Sequence, residues 1–173
     1  PKQSFDITRD FTPVIMVASQ PMILTVSPSL GVSSVAELIA LAKQKPGALL
    51  YGSTGVGAQP HLLMELFQVA TGTKMTHVPY QGSPQATTDL LAGRINLMFD
   101  VITTGLANTR AGRVRALGVT SLKRTPAAPD IPAISETLPG YEMTGWQGIV
   151  APKGVDPAIV SMLDKRIMAI MKM

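Results

Sequence analysis

Residues 51–61 read Tyr-Gly-Ser-Thr-Gly-Val-Gly-Ala-Gln-Pro-His, and this glycine-rich stretch constrains the fold more than any other part of the chain. An apolar pair at 49–50 precedes it and periodic apolar residues at 62–70 follow it, which predicts a strand, a turn and a helix start. Pro60 fits the first turn of that helix, where a missing N–H costs nothing. The glycines allow positive φ, and the free N–H groups of a helix start can bind an anion. A plain chain reversal explains the glycines equally well.

Two nucleotide-binding fingerprints do not fit this turn. A dinucleotide fingerprint needs Gly-x-Gly-x-x-Gly, but Gly55-Val56-Gly57 is followed by Ala, Gln and Pro60. A P-loop needs Gly-Lys-Ser/Thr, and the chain contains no Gly-Lys pair. The turn therefore disfavours nucleotides and leaves smaller anions as ligands.

The strand-turn-helix plan then repeats. Residues 75–78 predict a strand and residues 79–84 a turn. Residues 85–92 predict a helix that Gly93 ends, with Ser83 as its N-cap and a proline directly after it. The same local plan therefore occurs twice in succession.

A third unit follows, with a strand at 96–100 and a short helix that Gly112 ends. Strands alternating with helices over short connections predict right-handed βαβ units and a mainly parallel sheet. Ligands of such sheets bind at the carboxyl ends of the strands. We therefore expect the turns at 53–61, 80–83 and 100–104 to lie at one edge.

Outside these units the pattern is less regular. Residues 12–18 and 22–26 are predicted to be two extended segments joined by a short turn at 19–21. Residues 114–120 are apolar on both faces, as expected of a central parallel strand. An amphipathic helix at 156–171 stops without a cap, which indicates a truncated chain.

The composition excludes several classes of site. The 173 residues include no cysteine, so disulfides, thiol catalysis and cysteine-bound metal are ruled out. The 15 basic residues are scattered with few aromatic residues among them, which is unlike a nucleic-acid-binding surface. No carboxylates stand at metal-ligand spacing from His61 or His77, and no apolar run approaches the roughly 20 residues of a membrane span. A net charge of +4 suits small anions.

Catalysis is a weaker alternative. Residues 52–55, Gly-Ser-Thr-Gly, are one residue short of the Gly-x-Ser-x-Gly nucleophile elbow. Ser53, His61 and Asp100 would be the members of a Ser-His-Asp triad, but no motif supports that arrangement. The sequence therefore predicts no catalytic residues and no cofactor.

Asp100 and Tyr80 each follow an apolar strand and have two interpretations. Asp100 either caps the next turn or accepts a hydrogen bond from a ligand hydroxyl, a ligand ammonium or a water. Tyr80 either packs in the core or lines a pocket beside the turn at 80–83. The residues themselves leave both questions open.

Short motifs in a fixed order cover nearly the whole chain. They include DFTPV at 10–14, HVPYQGS at 77–83, DLLAG at 89–93 and LMFD at 97–100. Further matching segments are 33–41, 51–57, 60–62, 115–117, 120–124, 129–132 and 138–142. In these motifs the chain resembles the solute-binding proteins of tripartite tricarboxylate transporters, the Bug family.

The resemblance implies an α/β, periplasmic-binding-protein-like (type II) lobe with a mainly parallel sheet flanked by helices. In that family two such lobes close over a small organic carboxylate in the periplasm and deliver it to membrane permease subunits. The implied ligand is a mono-, di- or tricarboxylate. The implied ligand-binding residues are Ser53, Gly55, Val56, Gly57, Gln59, His61, Tyr80, Gly82, Ser83 and Asp100.

The sequence shows no export signal, no ligand loop of the first half and no C-terminal continuation of the family, so we expect it to represent mainly the second lobe. We expect residues 1–27 to link to the absent first lobe, 28–122 to form the ligand-binding lobe, and 123–173 to return and pack on the first lobe. Alone, such a chain is expected to bind carboxylate weakly or not at all and to self-associate. A ligand-sensing or structural module of the same fold is the alternative function.

Overall fold

A computed structural model of the chain describes residues 4–172. Within this range the helices and strands follow the predicted alternation. The helices are α1 (Ile7–Asp10), α2 (Val35–Gln44), α3 (Gln59–Thr71), α4 (Ser83–Leu91), α5 (Ile102–Arg110) and α6 (Pro157–Met171), with 3₁₀ turns at Pro28–Leu30 and Ile134–Glu136. The strands are β1 (Phe11–Val26), β2 (Leu50–Ser53), β3 (Thr76–Pro79), β4 (Leu97–Val101), β5 (Arg115–Val119) and β6 (Thr144–Pro152).

The strands form a mixed sheet in the order β3-β2-β4-β1-β5, and β6 also pairs with β1. β2 is parallel to both β3 and β4, whereas β1 is antiparallel to both β4 and β5. β5 therefore runs in the same direction as β2, β3 and β4. The predicted mainly parallel sheet is confirmed, with β1 as the strand that runs against the others.

Two predictions about individual strands are wrong. Residues 19–21 form no turn but continue β1 as one strand, because the fixed φ of Pro21 is compatible with extended backbone. β5 is not a central parallel strand, since it lies beyond β1 and is antiparallel to it. Its two faces are apolar because Leu117 and Val119 join different buried clusters.

Helices cover both faces of the sheet. On one face, here called the α3 face, Tyr51 and Phe99 pack with Leu38 of α2 and Phe67 of α3. On the opposite face, the α4 face, the side chain of Met98 packs with Ala86 and Leu90 of α4, and Ile23 packs with Ile102 and Leu106 of α5. The sheet is thus the middle layer, and its strand ends are left for the connecting loops.

The predicted glycine turn is confirmed in its local structure. β2 ends at Ser53, and α3 begins at Gln59 with Pro60 in its first turn. Gly72 ends α3 in the left-handed conformation, with φ of 63°, a conformation that glycine adopts without a steric penalty. These boundaries place five residues of the glycine-rich stretch, 54–58, between a buried strand and a helix start.

The described residues divide into two compact units, one formed by residues 20–145 and one by residues 4–19 and 146–172. In the second unit the amide of Lys153 donates to the carbonyl of Asp10 at 2.9 Å, and Asp156 caps α6 by accepting from the amide of Ala158. No residue of α6 in this range is buried, and Ile170 is 68% exposed. Within residues 4–172 no helix is both long and apolar enough to cross a bilayer.

Gly105 in α5 supports a first prediction. A Cβ atom at this position would lie 2.2 Å from Cγ2 of Ile23 in β1, an atom fixed close to the strand backbone. Overpacking of this kind costs about 1–3 kcal/mol, whereas the gain in helix propensity from glycine to alanine is at most about 1 kcal/mol. We therefore expect Gly105→Ala to lower the free energy of unfolding by about 1 kcal/mol in urea denaturation.

Thr104→Ala provides the control for Gly105→Ala, because Thr104 is exposed on the same helix. Thr104→Ala should leave the free energy of unfolding unchanged or increase it slightly. An increase in stability for Gly105→Ala would contradict the close packing of α5 on β1.

Candidate functional site

The loop between β2 and α3, residues 54–58, takes its shape from two glycines. Gly55 has φ of 132° and Gly57 has φ of 79°, so both lie where side chains other than hydrogen are strained. Val56 between them is 80% exposed. The loop therefore exposes Val56 and Gly57 to the solvent.

Several backbone amides of this loop and of the first turn of α3 have no acceptor within residues 4–172. The amide of Gly55 donates to Ser53 Oγ at 3.1 Å and that of Gly57 donates to His61 Nδ1 at 2.9 Å. The amides of Val56 and Gln59 donate to no described group, as is usual where a loop enters the first turn of a helix. Together with the positive end of the helix dipole, these N–H groups form a site for an anion.

Ser53 lies beneath the loop and is 0% exposed. Its Oγ atom is 2.6 Å from Nε2 of His77 and donates to the carbonyl of Gly55 at 3.0 Å. It also accepts the hydrogen bond from the amide of Gly55. The hydroxyl is therefore fully engaged within the protein and fixes the start of the loop.

An aromatic column of Tyr51, His77 and His61 stands beside Ser53 on the α3 face. The ring centroids of Tyr51 and His77 are 4.8 Å apart, and those of His77 and His61 are 4.1 Å apart at an angle of 7°. Glu65 accepts from the hydroxyl of Tyr51 at 2.6 Å, and its Oε1 lies 3.8 Å from Nε2 of His61. The column links the loop to the buried strand β2.

His77 lies within a strand, where packing or a backbone hydrogen bond is the expected role of its ring, and the half-buried ring instead contacts the residue beneath the loop. Its hydrogen bond goes to the side chain of Ser53 and not to the backbone. The contact of His77 with the residues beneath the loop follows from the parallel pairing of β2 with β3, which places His77 beside Tyr51. Sequence spacing does not specify that register.

Burial perturbs the titration of two members of the column. It lowers the pKa of His77, and the nearby charge of His61 on protonation lowers it further. Burial also raises the pKa of Tyr51, with a contribution from its hydrogen bond to Glu65. Both effects disfavour charge on the rings of Tyr51 and His77.

Asp100 lies on the opposite side of the sheet from Ser53. Side chains of a strand alternate between faces, so Asp100 shares the α4 face with Met98, whereas Ser53 shares the α3 face with Tyr51. The structure therefore does not assemble the Ser53, His61 and Asp100 triad.

The carboxylate of Asp100 is 3% exposed and accepts from the amide of Val101 at 2.8 Å. This hydrogen bond reaches only the adjacent residue, and α5 begins at Ile102 without a side-chain cap hydrogen bond, so both interpretations of Asp100 stay open. Burial raises the pKa of Asp100, and the hydrogen bond from Val101 offsets only part of that shift. A carboxylate kept from water without a cation beside it is an unfavourable feature for stability.

Tyr80 adjoins the loop through its backbone, because its amide donates to the carbonyl of Ser53 at 3.0 Å. Its hydroxyl points to α4 and donates to Asp89 at 2.8 Å, and Arg94 pairs with the same carboxylate at 2.7 Å. Burial and the hydrogen bond to Asp89 raise the pKa of Tyr80 to about 12. The Tyr80 side chain thus belongs to the α4 face.

The predicted N-cap of α4 is wrong. Gly82 is the N-cap residue, Ser83 is the first helical residue, and no side-chain cap hydrogen bond forms. The backbone of Gly82 is extended, so the helix begins one residue after it and includes Ser83. The hydroxyl of Ser83 is consequently not engaged as a cap.

The ten predicted ligand-binding residues therefore fall into two groups. Ser53, Gly55, Val56, Gly57, Gln59 and His61 form the glycine loop and its flanks, whereas Tyr80, Gly82, Ser83 and Asp100 lie at the ends of β3 and β4. The Gln59 side chain lies against the backbone of Gly145, where a Cβ would be 3.0 Å from its Oε1. Among residues 4–172 no cluster of three metal-ligating side chains occurs.

Comparison with known proteins relates this geometry to one family. The model of the tripartite tricarboxylate transporter family receptor matches residues 1–173. A curated relative, the UPF0065 protein in the tcbD-tcbE intergenic region of Pseudomonas sp. (strain P51), is 40% identical over 169 residues. That match covers 96% of this chain and 50% of the relative, so the chain spans about half the length of the curated protein.

Solved structures agree with this assignment. The structure of R. palustris Rpa4515 with adipate is 41% identical, with a TM-score of 0.88 over 97% of this chain and 56% of that chain. The structure of MatC (Rpa3494) from Rhodopseudomonas palustris with bound malate is 26% identical, with a TM-score of 0.84 over 98% of this chain and 58% of that chain. The fold and the family predicted from the sequence are thus confirmed, and the chain belongs to the family of tripartite tricarboxylate transporter receptors.

Proposed function

We propose that this chain supplies the carboxylate-binding glycine loop of a periplasmic solute-binding protein. The main support is the pair of amides of Val56 and Gln59, which have no acceptor within residues 4–172 at the N-terminus of α3. Two solved relatives hold adipate and malate, which are both dicarboxylates. One ligand carboxylate would accept hydrogen bonds from these amides, and the positive end of the helix dipole would favour its charge.

The ten predicted residues would form two groups within one lobe. The loop residues would receive the carboxylate, while Tyr80, Gly82, Ser83 and Asp100 would complete the pocket at the ends of β3 and β4. Residues 28–122 would form the ligand-binding lobe, with residues 1–27 and 123–173 connecting to the other lobe of the whole protein. That protein would close over a mono-, di- or tricarboxylate and deliver it to permease subunits, without catalysing a reaction.

The described chain alone would bind carboxylate weakly, because it supplies contacts from one side only. Self-association through exposed apolar side chains, such as Ile159 and Ile170 of α6, stays a prediction. Both properties concern this chain rather than the whole solute-binding protein.

NMR titration with adipate, malate and acetate tests the binding site, with 1,6-hexanediol as the uncharged probe. We expect the acids to shift the amide resonances of Val56 and Gln59 in a saturable way, and hexanediol to leave them unchanged. Gly57→Asp should weaken adipate binding at least tenfold, because it places a negative charge in the loop. No atom lies within 4 Å of the Cβ position there, so the side chain fits.

Gly72→Asp is the matched control. Gly72 also has positive φ and open space at its Cβ position, but it lies at the other end of α3. The two variants therefore share their backbone strain and their change of charge. Equal weakening by both variants, or loop resonances that no acid shifts, would contradict the proposed site.

A further inference from the structure

The two histidines of the column each hold one glycine of the loop. The amide of Gly57 donates to Nδ1 of His61 at 2.9 Å. An N–H donor needs a lone pair on its partner, so Nδ1 is unprotonated and the neutral His61 ring carries its proton on Nε2. This tautomer directs the Nε2–H side of the ring towards Glu65, whose Oε1 is 3.8 Å away.

His77 reaches the second glycine through Ser53. Its Nε2 lies 2.6 Å from Ser53 Oγ, and that oxygen is bonded to both the amide and the carbonyl of Gly55. Ser53 is 0% exposed, so no water can replace His77 without movement of the strand end. Loss of the imidazole would leave the hydroxyl with its local partners only.

The stacking makes the two contacts interdependent. The rings of His61 and His77 are nearly parallel with centroids 4.1 Å apart, so two imidazolium charges would repel each other strongly. The titratable groups that face the two rings are Tyr51 of β2 and Glu65 of α3. Protonation of His61 would place an N–H on Nδ1 against the N–H of Gly57.

We propose that His61 and His77 are positioning residues that hold the glycine loop in its carboxylate-binding shape, and that the loop loosens when His61 is protonated. His61 acts at Gly57, and His77 acts at Gly55 through Ser53. The link to carboxylate rests on the proposed function, whereas the effect on loop structure does not. The direction of the pH effect on carboxylate affinity distinguishes two roles. Histidines that contact the anion would strengthen binding on acidification, whereas positioning histidines would weaken it.

Amide hydrogen exchange measured by NMR tests the loop without any ligand. The protection factor of Gly57, corrected for the pH dependence of intrinsic exchange, should fall about fivefold or more on acidification. His61→Phe keeps a stacked ring and removes the acceptor, so its Gly57 amide should be unprotected at every pH. The amide of Gly72, which donates to the carbonyl of Gln68, serves as the internal reference.

Variants of His77 test the second contact. His77→Phe should reduce the protection of Gly55, and His77→Gln should restore part of it, because the glutamine amide can reach Ser53. Thr76→Val is the control, since it removes a side-chain hydrogen bond to the carbonyl of Gly47 at the other end of β3 and should leave the loop unchanged. Unaltered protection of Gly57 in His61→Phe, or of Gly55 in His77→Phe, would overturn the proposal.

A titration with adipate at several pH values adds the functional readout. Affinity should fall about fivefold or more on acidification, and it should be weak and independent of pH in His61→Phe. Binding that strengthens at acid pH would overturn the positioning role. Failure of the chain to respond to adipate would count against the proposed carboxylate site, while the exchange data would still decide the role of the histidines.

Discussion

Replacing Phe67 with alanine is expected to lower the free energy of unfolding by about 3–5 kcal/mol. Phe67 is 0% exposed on the inner side of α3, and its ring meets Tyr141 edge to face at a centroid distance of 6.0 Å. The substitution removes a large apolar side chain from the hydrophobic core and leaves a cavity between α3 and the sheet. Tyr141 is also anchored by a hydrogen bond to the carbonyl of Leu63, so the neighbours cannot easily collapse into the space.

Guanidinium chloride denaturation of Phe67→Ala measures this loss. Val69→Ala is the control, because Val69 is on the same helix and 81% exposed, and such surface changes usually stay within about 0.5 kcal/mol. A loss below about 1.5 kcal/mol for Phe67→Ala would contradict the buried position of its ring.

Replacing Asp100 with asparagine is expected to increase stability at neutral pH by about 1–3 kcal/mol. Burial raises the pKa of Asp100 in the folded state, so the folded protein binds the proton more tightly than the unfolded chain does. Stability therefore falls as the pH rises from the unfolded-state value through the raised folded-state value, and the loss persists above it. Asparagine avoids the charge and keeps an oxygen that can accept from the amide of Val101.

Denaturation of both proteins between acid and neutral pH tests this expectation. The difference should vanish at low pH, where the aspartate is protonated in both states, and reach its maximum near neutral pH. Asp130→Asn is the control, because Asp130 is exposed and its replacement should have little effect at any pH. A wild-type protein more stable than Asp100→Asn at neutral pH would show that Asp100 has a favourable partner when charged.

A gain in stability with Asp100→Asn would also bear on function. Residues that destabilise the folded state are commonly retained because a binding site needs them. If Asp100 accepts a hydrogen bond from a ligand hydroxyl, the asparagine variant should bind malate less tightly and adipate almost unchanged. The NMR titration used for the glycine loop measures the affinities for malate and adipate.

The elements were largely predictable because their signals are local. Pro60 in the first turn of α3 and the left-handed Gly93 after α4 each depend on a few neighbouring residues. The turn expected at 19–21 failed because the residues there are also compatible with a strand. Local preference could not decide between the two, since the pairing of β1 with distant strands supplies the deciding hydrogen bonds.

The candidate site was predictable only in part, for a related reason. The glycine loop from Ser53 to His61 is contiguous, so its residues could be grouped from the sequence. The contact between Ser53 and His77 depends on the register of β2 with β3, and the position of Asp100 depends on which face of β4 it occupies. A one-residue shift in the register of β2 with β3 would separate His77 from Ser53. A one-residue shift in the alternation of β4 would move Asp100 to the α3 face.

The sequence by itself determined the alternation of strands and helices, the glycine loop before α3 and the family to which the chain belongs, because these rest on short segments and their order. Only the tertiary structure decided that β1 runs against its neighbours, that Ser53 is bonded to His77, and that Asp100 lies across the sheet from Ser53. These features arise from packing between residues far apart in the chain. Such packing is fixed by the burial and hydrogen bonding of the whole domain, not by the preference of any one segment.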